Sequence, residues 1–375
     1  MARKRRVKLK PLMKILGFVL MAIIIVLLCL SNKNTSKKET VSEIVNDNHI
    51  SIIMAGDVLI HSSVYDDAYE DGKYNFDKML SLIKPIVKKH DLAFYNQETI
   101  LGGISLGLSS YPAFNSPQEV GEAFTSSGFN LVSLANNHTL DIGKKGVISS
   151  NNYWKTKKDV FTSGSYNTKK EKDTIQIKKI NGIKYTLLSY TTTTNGISPA
   201  NDYYVNVYSE EQVKKDIEKV KDQVDLLLVS MHWGKEYSME ITKEQQKIAN
   251  YLSSMGVDII IGHHPHVIEP IDYINDTLVI YSLGNFLSGQ EGLDRRIGMM
   301  VSLDITKENN EIMVSYPKVT LTYNYYNDGD TKTNFKIYPF NKLNNNILPG
   351  YQKYYHDYIK IISSKTNKQI EFEPI

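Results

Sequence analysis

The densest group of reactive side chains in the sequence is Gly262-His263-His264-Pro265-His266, three imidazoles within four positions after the apolar run VDIII. Imidazole nitrogen is a ready ligand for divalent transition metals. In an extended or turn backbone His264 and His266 project to the same side and can reach neighbouring metals, whereas His263 points away, as a residue behind the ligands. A second group, Asn136-Asn137-His138, follows the run NLVSL and leads into Thr139-Leu140-Asp141. Two amides and an imidazole are costly to bury unless paired. The Asn137 amide oxygen can ligate a hard cation, His138 can donate to a bound substrate, and Asp141 can orient that imidazole. Three more tips add charge: Asp57 after Ala55-Gly56, with His61 four residues on; Glu98 in Asn96-Gln97-Glu98-Thr99; and His232 in Ser230-Met231-His232-Trp233-Gly234. Singly, each has a plainer reading: an Asx-capped turn, a capping carboxylate, a satisfied strand-end histidine. Asn96 and Asn285, the latter in Tyr281-Ser282-Leu283-Gly284-Asn285-Phe286, are further candidates to contact substrate or orient a ligand.

Together these tips offer carboxylate, amide and imidazole. They offer no sulfur, because the one cysteine, Cys29, lies in an apolar run near the N-terminus. The set suits one or two divalent ions, Mn²⁺, Fe²⁺ or Zn²⁺ rather than Mg²⁺ or Ca²⁺, since four histidines count against a purely oxygen-loving site. Two cations about 3.5–4 Å apart can turn water into a nucleophile and clamp the oxygens of a phosphoryl centre. A protonated His138 would then stabilise charge or protonate the leaving group.

Such residues need a scaffold that brings distant tips together. Short apolar runs at 50–54, 92–95, 131–134, 184–189, 226–230, 257–261 and 278–281 predict strands, and helical spacing predicts helices over 76–88, 116–127, 146–156, 210–221 and 243–255. This alternation predicts an α/β domain with helices on both faces of its sheet. In such sheets ligands bind just outside the C-terminal ends of the strands, where the polar tips fall. After Arg296 the texture changes: 298–305, 311–323 and 335–339 predict strands and 350–363 a helix. The main domain is therefore set at 49–297, with 298–375 supplying closing strands and a C-terminal helical appendage.

The net charge of +3 hides an uneven distribution. Residues 1–14 hold seven basic residues and no acidic one; without them 37 basic face 41 acidic residues, a net −4. The body is thus not basic, and charge gives no reason to expect nucleic acid. Residues 15–30 are uncharged and almost wholly apolar, about 24 Å long as a helix. A cleaved signal peptide and a transmembrane signal anchor both fit; the anchor is the preferred expectation, with 1–14 cytoplasmic and the rest outside the cell membrane. No small-x-small cleavage site follows cleanly. The polar stretch 31–48 predicts an extracytoplasmic tether.

In order, GD at 56–57, NQE at 96–98, SLANNHTLDIG at 133–143, SMHWGKEY at 230–237, GHHPHVIEPI at 262–271 and YSLGNF at 281–286 resemble the CapA/PgsA-type poly-γ-glutamate capsule biosynthesis proteins. That family's domain is similar to calcineurin-like metallophosphatases. The resemblance spans roughly 50–290 and implies a metallophosphatase-like arrangement of layered sheets flanked by helices. It also implies that Asp57 matches the aspartate of the first metal motif, Glu98 stands where a bridging aspartate usually stands, and Asn137-His138 matches the asparagine-histidine pair. His232 resembles the lone metal histidine, and His264 and His266 the final His-x-His pair. The Asp-x-His of the first motif is absent, since Leu59 follows Asp57 by two; His61 is the candidate replacement. The implied function is a single-pass membrane protein assisting synthesis, export or surface retention of poly-γ-glutamate or a related polymer. Its implied partners are polymer synthase or export components in the membrane, and its ligand an anionic polymer or phosphorylated substrate. The site itself implies a metal-dependent hydrolase of phosphoesterase type. A surface phosphoesterase unrelated to capsule and a non-enzymatic scaffold with a remnant metal site are the alternatives.

Overall fold

The computed structural model describes residues 48–329 and 331–375. The basic segment 1–14, the apolar run 15–30 and all but the last residue of the tether 31–48 lie outside the described residues. No helix among the described residues is long and apolar enough to cross a membrane.

Four strands pair in parallel in chain order: β1 (His49–Leu59), β2 (Leu92–Gln97), β3 (Leu131–Ser133) and β4 (Phe161–Ser163). The next four, β5 (Ile183–Thr191), β6 (Leu226–His232), β7 (Ile259–His263) and β8 (Thr277–Ile280), form a second parallel set. Antiparallel edge strands Lys178–Ile180 and Ile271–Ile274 flank that set. The chain then returns to the first sheet. There β9 (Asn285–Ser288) pairs in parallel with the end of β1, and β10 (Ile297–Glu308) pairs antiparallel with its beginning. Outside β10 lie β11 (Lys318–Asn327) and β12 (Thr333–Pro339).

Alternation along the strands shows how the layers stack. Ile50, Ile52 and Met54 of β1 and Leu92 and Phe94 of β2 share one buried cluster with Leu187, Leu226, Leu228, Ile259 and Ile261 of the second sheet. The intervening Ile53, Ala55, Ala93 and Tyr95 face the other way, onto Met79, Leu80, Val87, Val120 and Phe124 of helices. In the second sheet Leu227, Val229, Met231 and Ile260 pack on Val213 and Ile217 of helix Glu210–Val220 and on Ile248 and Leu252 of helix Lys243–Ser254. The order is therefore helices, sheet, sheet, helices. The expectation of helices on both faces of one sheet is corrected: each sheet carries helices on one face and the other sheet on its second face. A strand buried on both faces is apolar throughout whichever element covers it, so its composition cannot tell these cases apart.

Two predicted elements are broken. The helix expected over 76–88 is two short ones, Asp77–Leu80 and Lys84–Val87, the second with Pro85 in its first turn, where a missing N–H costs no helical bond. The strand expected over 311–323 divides into Glu311–Val314 and β11 around Pro317, which cannot donate to a ladder. Helices 210–220 and 243–254 start where local chemistry dictates. Ser209 accepts from the Gln212 N–H, and Thr242 and Gln245 form a reciprocal capping box. Residues 298–375 share the first sheet with β1, and helix Tyr351–Ile362 adds Tyr355, Tyr358 and Ile362 to the inter-sheet cluster.

Candidate metal centre

The inward-facing rows of the two sheets run into polar residues at one edge of the sandwich. On β2 the row Leu92, Phe94 continues to Asn96 and then Glu98; on β6 the row Leu226, Leu228 continues to Ser230 and His232; on β7 Ile259 and Ile261 lead to His263. On β1 the simple period would turn Asp57 outward, since Ile50, Ile52 and Met54 face in. A register shift between Met54 and Asp57 re-phases the strand, so that Val58 and Ile60 join the outer cluster and Asp57 joins the inner row. Gly56 makes this possible: a Cβ there would lie 1.9 Å from the Gly284 carbonyl oxygen, to which the Asp57 N–H donates at 2.9 Å. Gly262 is needed similarly, its Cβ meeting the Tyr281 carbonyl oxygen at 1.9 Å.

Asp57, Glu98 and His232 are wholly buried. Asp57 Oδ1 accepts from Asn96 Nδ2 at 2.8 Å and lies 3.3 Å from His263 Nδ1. Its Oδ2 accepts from the His264 N–H at 3.2 Å and lies 3.3 Å from His266 Nδ1. Asn285 Oδ1 also lies 3.1 Å from His266 Nδ1, so two oxygens hold that edge of the ring and leave Nε2 toward Glu98, 3.6 Å from Oε1. His232 Nε2 is 3.6 Å from the same Glu98 oxygen and 2.9 Å from Asn137 Oδ1. The His232 and His264 rings lie 4.7 Å apart. Ligand-capable atoms thus converge in two adjoining sets, Asp57–Glu98–His266 and Glu98–His232–His264, each with all its atoms within 4.8 Å of one another. Glu98 is common to both.

The charge balance of these groups fits a cation. Neither Glu98 oxygen has a hydrogen-bond partner, nor does His264 Nδ1. Burial pushes the Glu98 carboxyl well above the usual carboxylate range, against the nearby His266. Burial would raise Asp57 too, but the imidazoles of His263 and His266 outweigh it and hold that carboxyl well below its ordinary value. Burial opposes protonation of His266, yet the carboxylates of Glu98 and Asp57 lift it to about 9. Burial lowers His232 strongly and His264 to about 4, helped by neighbouring imidazoles. A fully buried carboxyl without a hydrogen bond, set among imidazoles of which burial keeps His232 and His264 unprotonated, is expensive unless further positive charge joins it. The donor set is the one expected for one or two divalent ions, whose binding would displace protons from these groups.

His138 stands beside these sets. Its Nδ1 is 2.7 Å from Asp141 Oδ2, which also accepts from the Phe114 N–H at 2.7 Å, and its ring meets Phe114 edge-on at 4.7 Å. A carboxylate at Nδ1 fixes the proton there and leaves Nε2 for substrate. Asn136, one residue away from Asn137, braces the loop by accepting from the His138 N–H at 3.0 Å.

The structure alters two of the expectations. His263 does not point away: within β7 it shares the inward face of Ile259 and Ile261, stacks on Phe94 and approaches Asp57. The extended-backbone argument fails because the chain leaves the strand there, with φ of 97° at His264 and 60° at His266. His61 belongs to none of the convergent sets among the described residues. Its Nδ1 is shared between the Leu59 carbonyl oxygen and the Gly289 N–H, and burial lowers it to about 4. One support was beyond sequence reasoning: Phe114 comes from a loop with no pattern of its own. Asn96, a candidate in the sequence, donates from Nδ2 to Asp57 Oδ1 at 2.8 Å and lies 3.4 Å from His232 Nδ1.

Residues 51–290 match the family model described as "Bacterial capsule synthesis protein PGA_cap". The chain is 27% identical over 277 residues to the PGA biosynthesis protein CapA of Bacillus subtilis (strain 168), covering 70% of this chain and 69% of that one. It is 27% identical over 253 residues to the capsule biosynthesis protein CapA of Bacillus anthracis, covering 64% and 60% respectively. Among solved structures it is similar to the calcineurin-like phosphoesterase YfkN from Bacillus subtilis, with a TM-score of 0.43 and 12% identity over 84% of this chain and 99% of that one. The 5'-nucleotidase from Candida albicans SC5314 follows at 0.39 and 15% identity, over 68% and 48%. Both structural likenesses are distant.

Proposed function

The chain belongs to the bacterial capsule synthesis protein PGA_cap family, and on that footing we propose that it assists capsule-polymer synthesis through a buried divalent-metal centre acting on a phosphoryl or related acyl centre. The observation that carries this reading is Glu98, wholly buried with both oxygens unpartnered and common to two convergent ligand sets. In the proposed assignment Asp57, Glu98 and His266 hold one ion, and Glu98, Asn137, His232 and His264 hold the other. The ions would supply Lewis acidity and charge neutralisation. The chain's own residues do the rest. Asn285 and Asp57 orient His266 through Nδ1, and Asn96 steadies Asp57. Asp141 holds the His138 proton at Nδ1, so Nε2 is the atom that gives or takes a proton at the substrate's leaving oxygen. Asp141 and His138 are the catalytic pair of the proposal.

The relatives named for PGA and capsule biosynthesis support an anionic polymer such as poly-γ-glutamate, or a phosphorylated precursor, as the substrate class. The apolar run 15–30 behind seven basic residues supports a single-pass anchor in the cell membrane with the domain outside, next to synthase or export components. The test replaces the chromosomal copy with His138→Ala or with Asp57→Asn/His264→Ala and measures surface polymer together with metal bound to the full-length protein. The reading expects metal to be lost in the double variant only and polymer to fall in both. Normal polymer with His138→Ala, but none on deleting the protein, would instead make it a scaffold. Normal polymer in every strain would leave a surface phosphoesterase unrelated to capsule.

A further inference from the structure

Beyond His232 the chain forms a loop whose course is held at several points. The Trp233 N–H donates to the His263 carbonyl oxygen at 3.0 Å, and the Tyr237 N–H donates to the Pro265 carbonyl oxygen at 2.8 Å. The Tyr237 ring is 6.1 Å from the His266 ring, and the Arg295 guanidinium lies 4.7 Å from its centroid. Its hydroxyl accepts from Gln290 Nε2 at 3.3 Å, and Gln290 Oε1 in turn accepts from Asn285, which holds His266. Tyr237 has a φ of 63°, a left-handed conformation that a bulky residue adopts only when its surroundings impose it. Glu236 sits just before this fixed point. One of its carboxylate oxygens and one ring nitrogen each of His264 and His266 all lie within 4.8 Å of one another.

Glu236 is exposed, while both histidines are buried and His264 Nδ1 has no partner. His264 and His266 also belong one to each of the two deeper sets. Glu236 therefore reaches both halves of the centre from the solvent side, as Glu98 does from within. The set around Asp57 has three protein donors, which leaves a coordination position that a further side chain on the solvent side can take. We propose that Glu236 is a further metal ligand, closing the centre from its exposed side through the side chains of His264 and His266. The proposal rests on the reading of the centre as a cation site. It gives the loop 233–237 a purpose, because a carboxylate carried between pinned neighbours needs little reorganisation to bind.

Chelator-stripped full-length protein is titrated with Mn²⁺, free ion being followed by its electron paramagnetic resonance signal and bound ion by elemental analysis. Glu236→Gln is compared with wild type and with Glu240→Gln, an exposed glutamate further along the same loop. The expected result is that Glu236→Gln weakens at least one Mn²⁺ by about tenfold or more, with the metal-free unfolding temperature unchanged and Glu240→Gln binding like wild type. Superimposable isotherms for Glu236→Gln and wild type would overturn the proposal and leave the centre standing. Equal weakening in Glu240→Gln would overturn it as an effect of net charge. Failure of the wild type to bind Mn²⁺ would overturn the proposal and the metal centre together.

Discussion

Replacing Glu98 by glutamine separates what this residue costs the fold from what it contributes to the centre. In the metal-free protein a wholly buried carboxyl faces His232 and His266 at 3.6 Å without a hydrogen bond to either oxygen. An unsatisfied buried polar group of this kind costs about 1–3 kcal/mol. Glutamine has nearly the same shape and no charge to desolvate, and its amide can donate to the imidazoles. Glu98→Gln should therefore stabilise the metal-free protein by about 1–3 kcal/mol, or roughly 2–6 °C in melting temperature for a domain of this size. With Mn²⁺ the order should reverse. Ligand at 100 times its dissociation constant stabilises the native state by about 2.7 kcal/mol per site, and Glu98 is common to both sets, so the variant loses most of that gain. The assay is thermal unfolding of full-length wild type and variant, each in chelator and in Mn²⁺ from equal stocks. Crossed stabilities are the signature. A variant that is less stable than wild type in chelator, or a wild type indifferent to Mn²⁺, would refute the account of Glu98 as an unsatisfied ligand.

Asp141→Asn keeps the shape beside His138 but removes the charge that fixes its Nδ1 proton, so turnover on whichever phosphoester proves active should fall about 10²- to 10⁴-fold with bound metal unchanged by elemental analysis. Gly262→Ala drives a Cβ to within 1.9 Å of the Tyr281 carbonyl oxygen; the backbone must shift, and urea unfolding should show a loss of about 1–3 kcal/mol or more. Burial lifts Glu269 to about 8, against the hydrogen bond from Gln245 Nε2 at 2.6 Å. A carboxyl raised on folding adds stability that is complete below its unfolded value near 4.5 and is lost as pH rises through about 8. Denaturant midpoints of wild type should accordingly decline between pH 5 and 9 relative to Glu269→Gln; the difference isolates Glu269 from Asp258, which burial lifts to about 6 with the same sign.

The strand-ends carrying the site were legible because local pattern and chemistry agree there. Each apolar run of 50–54, 92–95, 131–134, 226–230 and 257–261 overlaps an observed strand, and each polar tip follows directly. Helices 210–220 and 243–254 announced themselves by spacing, and the structure adds the caps Ser209 and Thr242 immediately before them. Short elements such as Phe161–Ser163 and Asn285–Ser288 had too few residues to show a period, yet the second supplies Asn285 to His266.

Which donors this protein has, that none near the site is sulfur, and that they lie at strand ends are properties of residue type and short-range pattern, and so could be read along the chain. How they meet depends on the packing of the sheets. The second sheet rather than a helix covers the inner faces, which brings tips from β1 and β2 opposite tips from β6 and β7. A re-phasing at Gly56 turns Asp57 inward, left-handed backbone at His264 and His266 cancels the expected alternation, and Glu236 reaches the histidines from a loop pinned 2.8 Å from Pro265. Each of these depends on contacts between residues far apart in the chain, whose energies no local window contains.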